Sequence, residues 1–252
     1  MNPGSGELSV FESAAEMARH AASEFSRRAL EAVASSGWFR VSLAGGSTPR
    51  QLYALLASTE DSFRDQVPWA RAQFFWGDER PVPPSSPESN YRMANEAMLS
   101  KVPIPAENIH RILAELPDRQ MAARRYEEEL RRVFKLEPGG KPRFDLVILG
   151  MGVEGHTASL FPGSKWIHEN TRLVVAAWVE KLNAFRITFT PAVFNQAACV
   201  MFLISGEEKA EALKQALEGP PRPELFPVQA IRPVDGSLLW LADRAAASKL
   251  SR

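Results

Sequence analysis

Four histidines, one cysteine and three polar or glycine-bearing segments are the parts of this 252-residue chain whose types and spacings could do chemistry. The most pointed segment is Leu149-Gly150-Met151-Gly152-Val153-Glu154-Gly155-His156-Thr157-Ala158-Ser159-Leu160-Phe161-Pro162. Its closely spaced glycines place His156 on a tight loop after an apolar run, where an imidazole can face a cleft and serve as a general base near neutrality. The other histidines lack such a setting: His20 falls in a helical pattern, His110 follows Asn108-Ile109, and His168 sits in a polar stretch. A lone histidine is as readily structural. A second segment, Leu43-Ala44-Gly45-Gly46-Ser47-Thr48-Pro49-Arg50, joins paired glycines to a helix start. Its backbone amides could approach an anion, with Thr48 capping the helix and Pro49 at its first position. The segment suits a phosphate and equally suits an ordinary tight turn; it is not a Walker loop, since no Gly-Lys-Ser/Thr follows. The third is Gly77-Asp78-Glu79-Arg80, with Ser89-Asn90-Tyr91-Arg92 downstream. Two carboxylates and an arginine there could orient a base or hold sugar hydroxyls, or form only a solvated ion pair.

The elements that must position these segments are legible as alternating periodicities. Phe11, Ala14, Ala15, Ala18, Ala22, Phe25, Ala29 and Val33 recur at spacings of three and four, which predicts an amphipathic helix. A short strand is expected over 38–43 and a helix through Leu52, Leu55 and Leu56. Further strands are expected at 72–76, 144–149, 173–177, 185–189, 198–204 and 237–241, with helices at 91–99, 119–134 and 207–218. The continuous apolar run at 144–149 suits a strand covered on both faces. All three chemical segments fall just after a predicted strand. The alternation predicts one α/β domain over 1–252, an open, mostly parallel sheet with helices on both faces and ligands bound beyond the carboxyl ends of the strands. No repeat of solenoid or propeller period occurs.

Composition narrows the partners. Thirty basic residues balance thirty acidic ones, so no overall field favours nucleic acid or an anionic membrane, and an anion must be held locally. The expected partner is a small molecule. Cys199 lies in an apolar run and has no intrachain disulfide partner, so no catalytic role is assigned to it. The first ten residues carry no signal-peptide pattern and no apolar stretch has membrane-span length, so the cytoplasm is the expected compartment. Neither a His-Glu-x-x-His nor a Cys-x-x-Cys spacing occurs, and no metal or cofactor is expected.

Together the three segments resemble the 6-phosphogluconolactonase family, marked by a Gly-Gly-Ser-Thr-Pro turn, a Gly-Asp-Glu-Arg segment with a downstream Ser-Asn, and a Gly-His-Thr-Ala-Ser-Leu-Phe-Pro loop. Arg186-Ile187-Thr188 and Ser205-Gly206-Glu207-Glu208-Lys209-Ala210 resemble its later phosphate-side segments, so the likeness extends over nearly the whole chain. The resemblance implies a Rossmann-like fold and hydrolysis of 6-phospho-D-glucono-1,5-lactone, in the oxidative pentose phosphate pathway, without metal or cofactor. It implies phosphate binding by Gly45, Gly46, Ser47, Thr48, Arg186 and Lys209. His156 would activate water, Asp78 would orient the imidazole, Arg80 would bind a substrate oxygen or stabilise developing negative charge, and loop amides near Gly152 and Gly155 would complete an oxyanion site. The usual aspartate two residues before the histidine is Glu154 here, one methylene longer. Related glucosamine-6-phosphate deaminases carry a glutamate five residues after the histidine, where this chain has Phe161. Two further alternatives stand at this stage: nucleophilic attack by Ser47 or Ser159, neither in a Gly-x-Ser-x-Gly elbow, and a sugar-phosphate binding module without chemistry.

Overall fold

The computed structural model describes residues 6–251. In chain order these form β1 (Glu7–Phe11), α1 (Ala14–Ser36), β2 (Phe39–Leu43), α2 (Ser47–Ala57), α3 (Phe63–Gln66), β3 (Ala72–Trp76), β4 (Asp78–Glu79), α4 (Asn90–Ala97), α5 (Arg119–Phe134), β5 (Leu146–Leu149), β6 (Val174–Val179), β7 (Ala184–Phe189), α6 (Pro191–Phe194), β8 (Cys199–Ile204), α7 (Ala210–Leu217) and β9 (Ser237–Asp243). Six strands make a parallel sheet in the order β1-β9-β8-β5-β2-β3, and a second, antiparallel sheet has the order β4-β7-β6.

Alternation along β2 shows how the parallel sheet is covered. Phe39 meets Phe25 of α1 edge-on, with ring centroids 5.2 Å apart. The next residue, Arg40, sets its guanidinium over the ring of Phe134 in α5, 5.2 Å from its centroid. Successive strand side chains point to opposite faces, so α1 and α5 lie on opposite sides of the sheet, as expected for a Rossmann-like α/β fold. Every residue of β5 and β8 is buried, including Cys199. Burial pushes the Cys199 thiol above its ordinary range, consistent with an inert packing role.

Two local readings change. α2 begins at Ser47, with Gly46 as its N-cap at φ 102°, so Thr48 is the second helical residue and not the cap, and Pro49 is the third and not the first. β1 has no counterpart in the apolar pattern of the sequence. It is a half-exposed edge strand whose order comes from parallel pairing with β9.

The strand ends facing the cleft described below are held by hydroxyl groups. The Tyr53 hydroxyl accepts from the Ala44 amide and donates to the Ala44 carbonyl, both at 2.9 Å. Tyr126 repeats the arrangement at Trp76, accepting from the amide at 2.8 Å and donating to the carbonyl at 3.2 Å. Both tyrosines are buried, and burial pushes their phenols well above the ordinary range. Removing one hydroxyl strands a buried peptide N–H. Tyr126→Phe is therefore expected to lower the unfolding free energy by about 1–3 kcal/mol, read by equilibrium urea denaturation; an unchanged midpoint and slope would contradict this account of the strand end.

Candidate active site

From β2 the chain steps to β3 on one side, then returns to place β5 on the other side of β2. That reversal is a topological switch point, where adjacent loops diverge and leave a crevice beyond the carboxyl ends of the strands. A cleft of about 230 Å³ opens there, lined by Gly45 and Gly46 after β2, Asp78 and Arg80 after β3, Gly150, Gly152 and His156 after β5, and Lys209 after β8. Asn90 completes its wall. Of the residues expected in the site, the fold brings Gly45, Gly46, Asp78, Arg80, His156 and Lys209 to this one cleft. Ser47, Thr48 and Arg186 are not among its lining residues. Ser47 and Thr48 form the first turn of α2 immediately behind Gly46, and Arg186 lies on β7.

The histidine loop turns back on itself. The Gly152 amide donates to the His156 carbonyl at 2.8 Å and the Gly155 amide to the Gly152 carbonyl at 3.0 Å. These two amides are thereby committed to the turn and are not themselves free to act as oxyanion donors. The imidazole lies flat against this backbone: a β-carbon on Gly152 would fall 2.0 Å from ring atoms of His156, so only glycine fits there. On the other face Phe161 stacks on the ring at 4.2 Å between centroids. The buried Nδ1 is 3.2 Å from Glu154 Oε2, an ion-pair distance without the alignment of a hydrogen bond, and Glu154 Oε1 is 2.7 Å from Lys181 Nζ. Burial holds the imidazole below the ordinary histidine range, Glu154 and Asp78 pull it upward, and Lys209 pushes it down. Burial works against ionisation of Glu154, but the Lys181 hydrogen bond, backbone hydrogen bonding and the His156 charge bring its carboxyl down to about 2. At neutral pH the site thus holds a neutral imidazole beside an ionised glutamate, and the buried Nδ1 leaves Nε2 for the cleft.

Asp78 makes different contacts from those expected. Its Oδ2 accepts from Ser159 Oγ at 2.6 Å, and its Oδ1 lies 3.2 Å from Asn90 Nδ2, which also donates to the Asp78 carbonyl at 2.9 Å. Among the contacts of the described residues Asp78 makes none to the imidazole nitrogens, and the carboxylate facing Nδ1 is Glu154. Ser159 is buried with its hydroxyl engaged by Asp78, and Ser47 is exposed outside the cleft lining; neither is presented as a nucleophile. Asn90 is a wall residue to which the sequence reading assigned no role, although Ser89-Asn90 was conspicuous. Its side chain closes over Gly45, where an added β-carbon would meet Asn90 Oδ1 at 1.8 Å.

Glu79 is the scaffold of this corner. Its buried carboxylate accepts from the amides of Arg80, Asn90 and Tyr91, each at 2.8 Å, and from Ser89 Oγ at 3.0 Å. It ties β4 to the start of α4 and so fixes Asp78 and Asn90 on either side. Burial still raises its carboxyl above the ordinary range, with the backbone donors opposing.

Cationic groups gather on the same side of the molecule. Arg80 donates to the Glu88 carbonyl, and Arg186 has its pKa lowered by burial and then by the neighbouring Arg80. The Lys209 ammonium makes no hydrogen bond or ion pair with the described residues. No acidic side chain lies in the first turn of α2, and Gly46 offers no side chain to its free amides, so that helix start is open to an anion. Among the described residues, no group of three or more histidine, cysteine, aspartate or glutamate side chains is placed to hold a metal ion, and no helix is long and apolar enough to cross a membrane.

Fold and cleft define an α/β protein with an anion-attracting, histidine-bearing crevice at a switch point. The chain belongs to the family described as glucosamine-6-phosphate isomerases/6-phosphogluconolactonase, which it matches over residues 12–240. It is 40% identical to the 6-phosphogluconolactonase of Synechocystis sp. over 223 residues, 88% of this chain and 89% of that one. It is also 40% identical to the 6-phosphogluconolactonase of Haemophilus influenzae over 206 residues, 82% and 85% of the two chains. The solved structure of 6-phosphogluconolactonase from Trypanosoma cruzi superposes with a TM-score of 0.85 at 27% identity, covering 98% of this chain and 97% of the other.

The geometry sets the sign of a titration. The His156 ring, followed by NMR, is expected to titrate below the ordinary histidine value. Glu154→Gln removes an upward pull and moves the midpoint lower still. A midpoint that rises in this variant would show that the carboxylate does not act on the ring.

Proposed function

We propose that this protein hydrolyses 6-phospho-D-glucono-1,5-lactone to 6-phosphogluconate in the cytoplasm. The observation that carries the reading is one cleft holding a neutral imidazole, the Gly45-Gly46 turn before an open helix start, and the unpaired Lys209 ammonium. The phosphate is anchored by the Ser47 and Thr48 amides behind that turn and by Lys209, with Arg186 contributing charge from β7. Anchoring the remote phosphate orients the lactone for attack. His156 Nε2 takes a proton from water as its oxygen bonds to C1, and the carbonyl electrons move onto oxygen. Arg80 stabilises that oxyanion. Collapse of the tetrahedral intermediate breaks the bond from C1 to the ring oxygen, which receives the proton from the imidazolium. Glu154 holds the ring in orientation, and Asp78, fixed by Ser159 and Asn90, adds a second favourable charge to the imidazolium. The deaminase alternative needs a carboxylate where Phe161 instead stacks on the histidine, and a binding module would have no use for a buried, oriented, neutral imidazole.

Proton release from freshly generated lactone at neutral pH tests the reading. The protein should exceed the buffer rate with or without a chelator, and His156→Ala should lose about 10²- to 10⁴-fold in kcat/KM. Hydrolysis no faster than buffer, or ammonia release from glucosamine 6-phosphate, would replace the lactonase reading with another. Lys209→Ala should raise KM by about 10- to 100-fold, the worth of a charge-assisted hydrogen bond, with a smaller change in kcat. A kcat-only effect would move Lys209 from the phosphate to the reacting centre.

A further inference from the structure

We propose that Lys181 is a positioning residue for the histidine base, acting through Glu154 from a hairpin of the other sheet. The inference rests on the assignment of His156 as the base. Lys181 lies in the short turn between β6 and β7, with its side chain 65% exposed, and its Nζ is 2.7 Å from Glu154 Oε1. The other oxygen of that carboxylate is the one 3.2 Å from His156 Nδ1. One carboxylate is thus divided between two partners. Glu154 has a long side chain in a loop whose neighbour Val153 is exposed, and an unanchored carboxylate there would turn to water. Fixing Oε1 leaves Oε2 only the seat beside the ring.

The anchor comes from a rigid source. β6 and β7 pair from Val174↔Phe189 to Val179↔Ala184, so the turn carrying Lys181 caps a continuous ladder, and Asn183 closes it in the left-handed conformation at φ 45°. The same hairpin pairs with β4 through Asp78↔Thr188. It therefore locates both carboxylates that act on His156: Asp78 through backbone register and Glu154 through Lys181. An exposed ion pair of this kind contributes little to stability, so its consequence is where Oε2 sits. The charged groups around the ring are Glu154 from its own loop, Asp78 from β4 and Lys209 from the segment after β8, with Phe161 stacked on the ring.

This geometry makes an inverted prediction. Deleting a nearby positive charge should by itself raise the His156 titration midpoint. If Lys181 positions Glu154, Lys181→Met instead releases the carboxylate and lowers the midpoint, as Glu154→Gln does, while Lys181→Arg keeps the wild-type value. In a Glu154→Gln background, Lys181→Met should no longer lower the midpoint. Lactone hydrolysis should fall about 10- to 100-fold in kcat with KM little changed, and Lys181→Arg should restore it. A midpoint that stays or rises in Lys181→Met, or an effect of full size in the Glu154→Gln background, overturns the proposal. The NMR titration needs no substrate, so it decides Lys181 separately from whether the lactone is hydrolysed.

Discussion

A parallel sheet that opens a crevice at the carboxyl ends of its central strands must release peptide groups from their ladders there, and such groups cannot be buried unpaired. This constraint shapes everything around the cleft. Hydroxyls answer it at three adjoining strand ends: Tyr53 at Ala44, Tyr126 at Trp76, and Thr157, whose Oγ1 donates to the Gly150 carbonyl at 2.8 Å. At the end of β8, buried Asp243 serves the same need, accepting from the Gly206 amide and from Ser205 Oγ. Because these groups absorb the loose ends of the sheet, the loops beyond are free to aim their own polar groups at a ligand.

The electrostatic layout follows from that economy. The chain has no net charge, yet three cations converge near the cleft, and Arg80 stands close enough to Arg186 to add to the lowering of its pKa that burial begins. An anion offsets that lowering. Across the crevice the imidazole is kept neutral mainly by burial, with carboxylates that become more favourable partners once it takes a proton. The resting site is thus polarised in the sense that an anion on one side and a protonated imidazole on the other would each require.

Much of this was legible in the sequence because it is local. The helix over 119–134 and the strand over 72–76 are found at the expected bounds, and the glycine segments fall at strand ends as their spacing implies. The start of α2 was misplaced by two residues, since Gly46 takes the cap and leaves Thr48 inside the helix. The carboxylate nearest the imidazole nitrogen was illegible for a different reason. Asp78 accepts from Ser159, 81 positions away in sequence, and Glu154 pairs with Lys181 from the hairpin of the other sheet. Neither contact leaves a periodicity or motif. β1 was missed likewise, its alternation too short and too exposed to mark a strand.

That edge strand sets the order in which the fold can be completed. β1 leaves the ribosome before the other described strands, yet its register partner is β9, with Glu7 opposite Leu239 and Phe11 opposite Asp243. It has no ladder to join until β9 has been synthesised, so its amides remain without their strand partner until then. The sheet can grow outward from the centre while the chain is being made. Its β1 edge can close only once β9 has been made, by a contact of long sequence separation, the kind that carries a large loop-closure entropy and forms late.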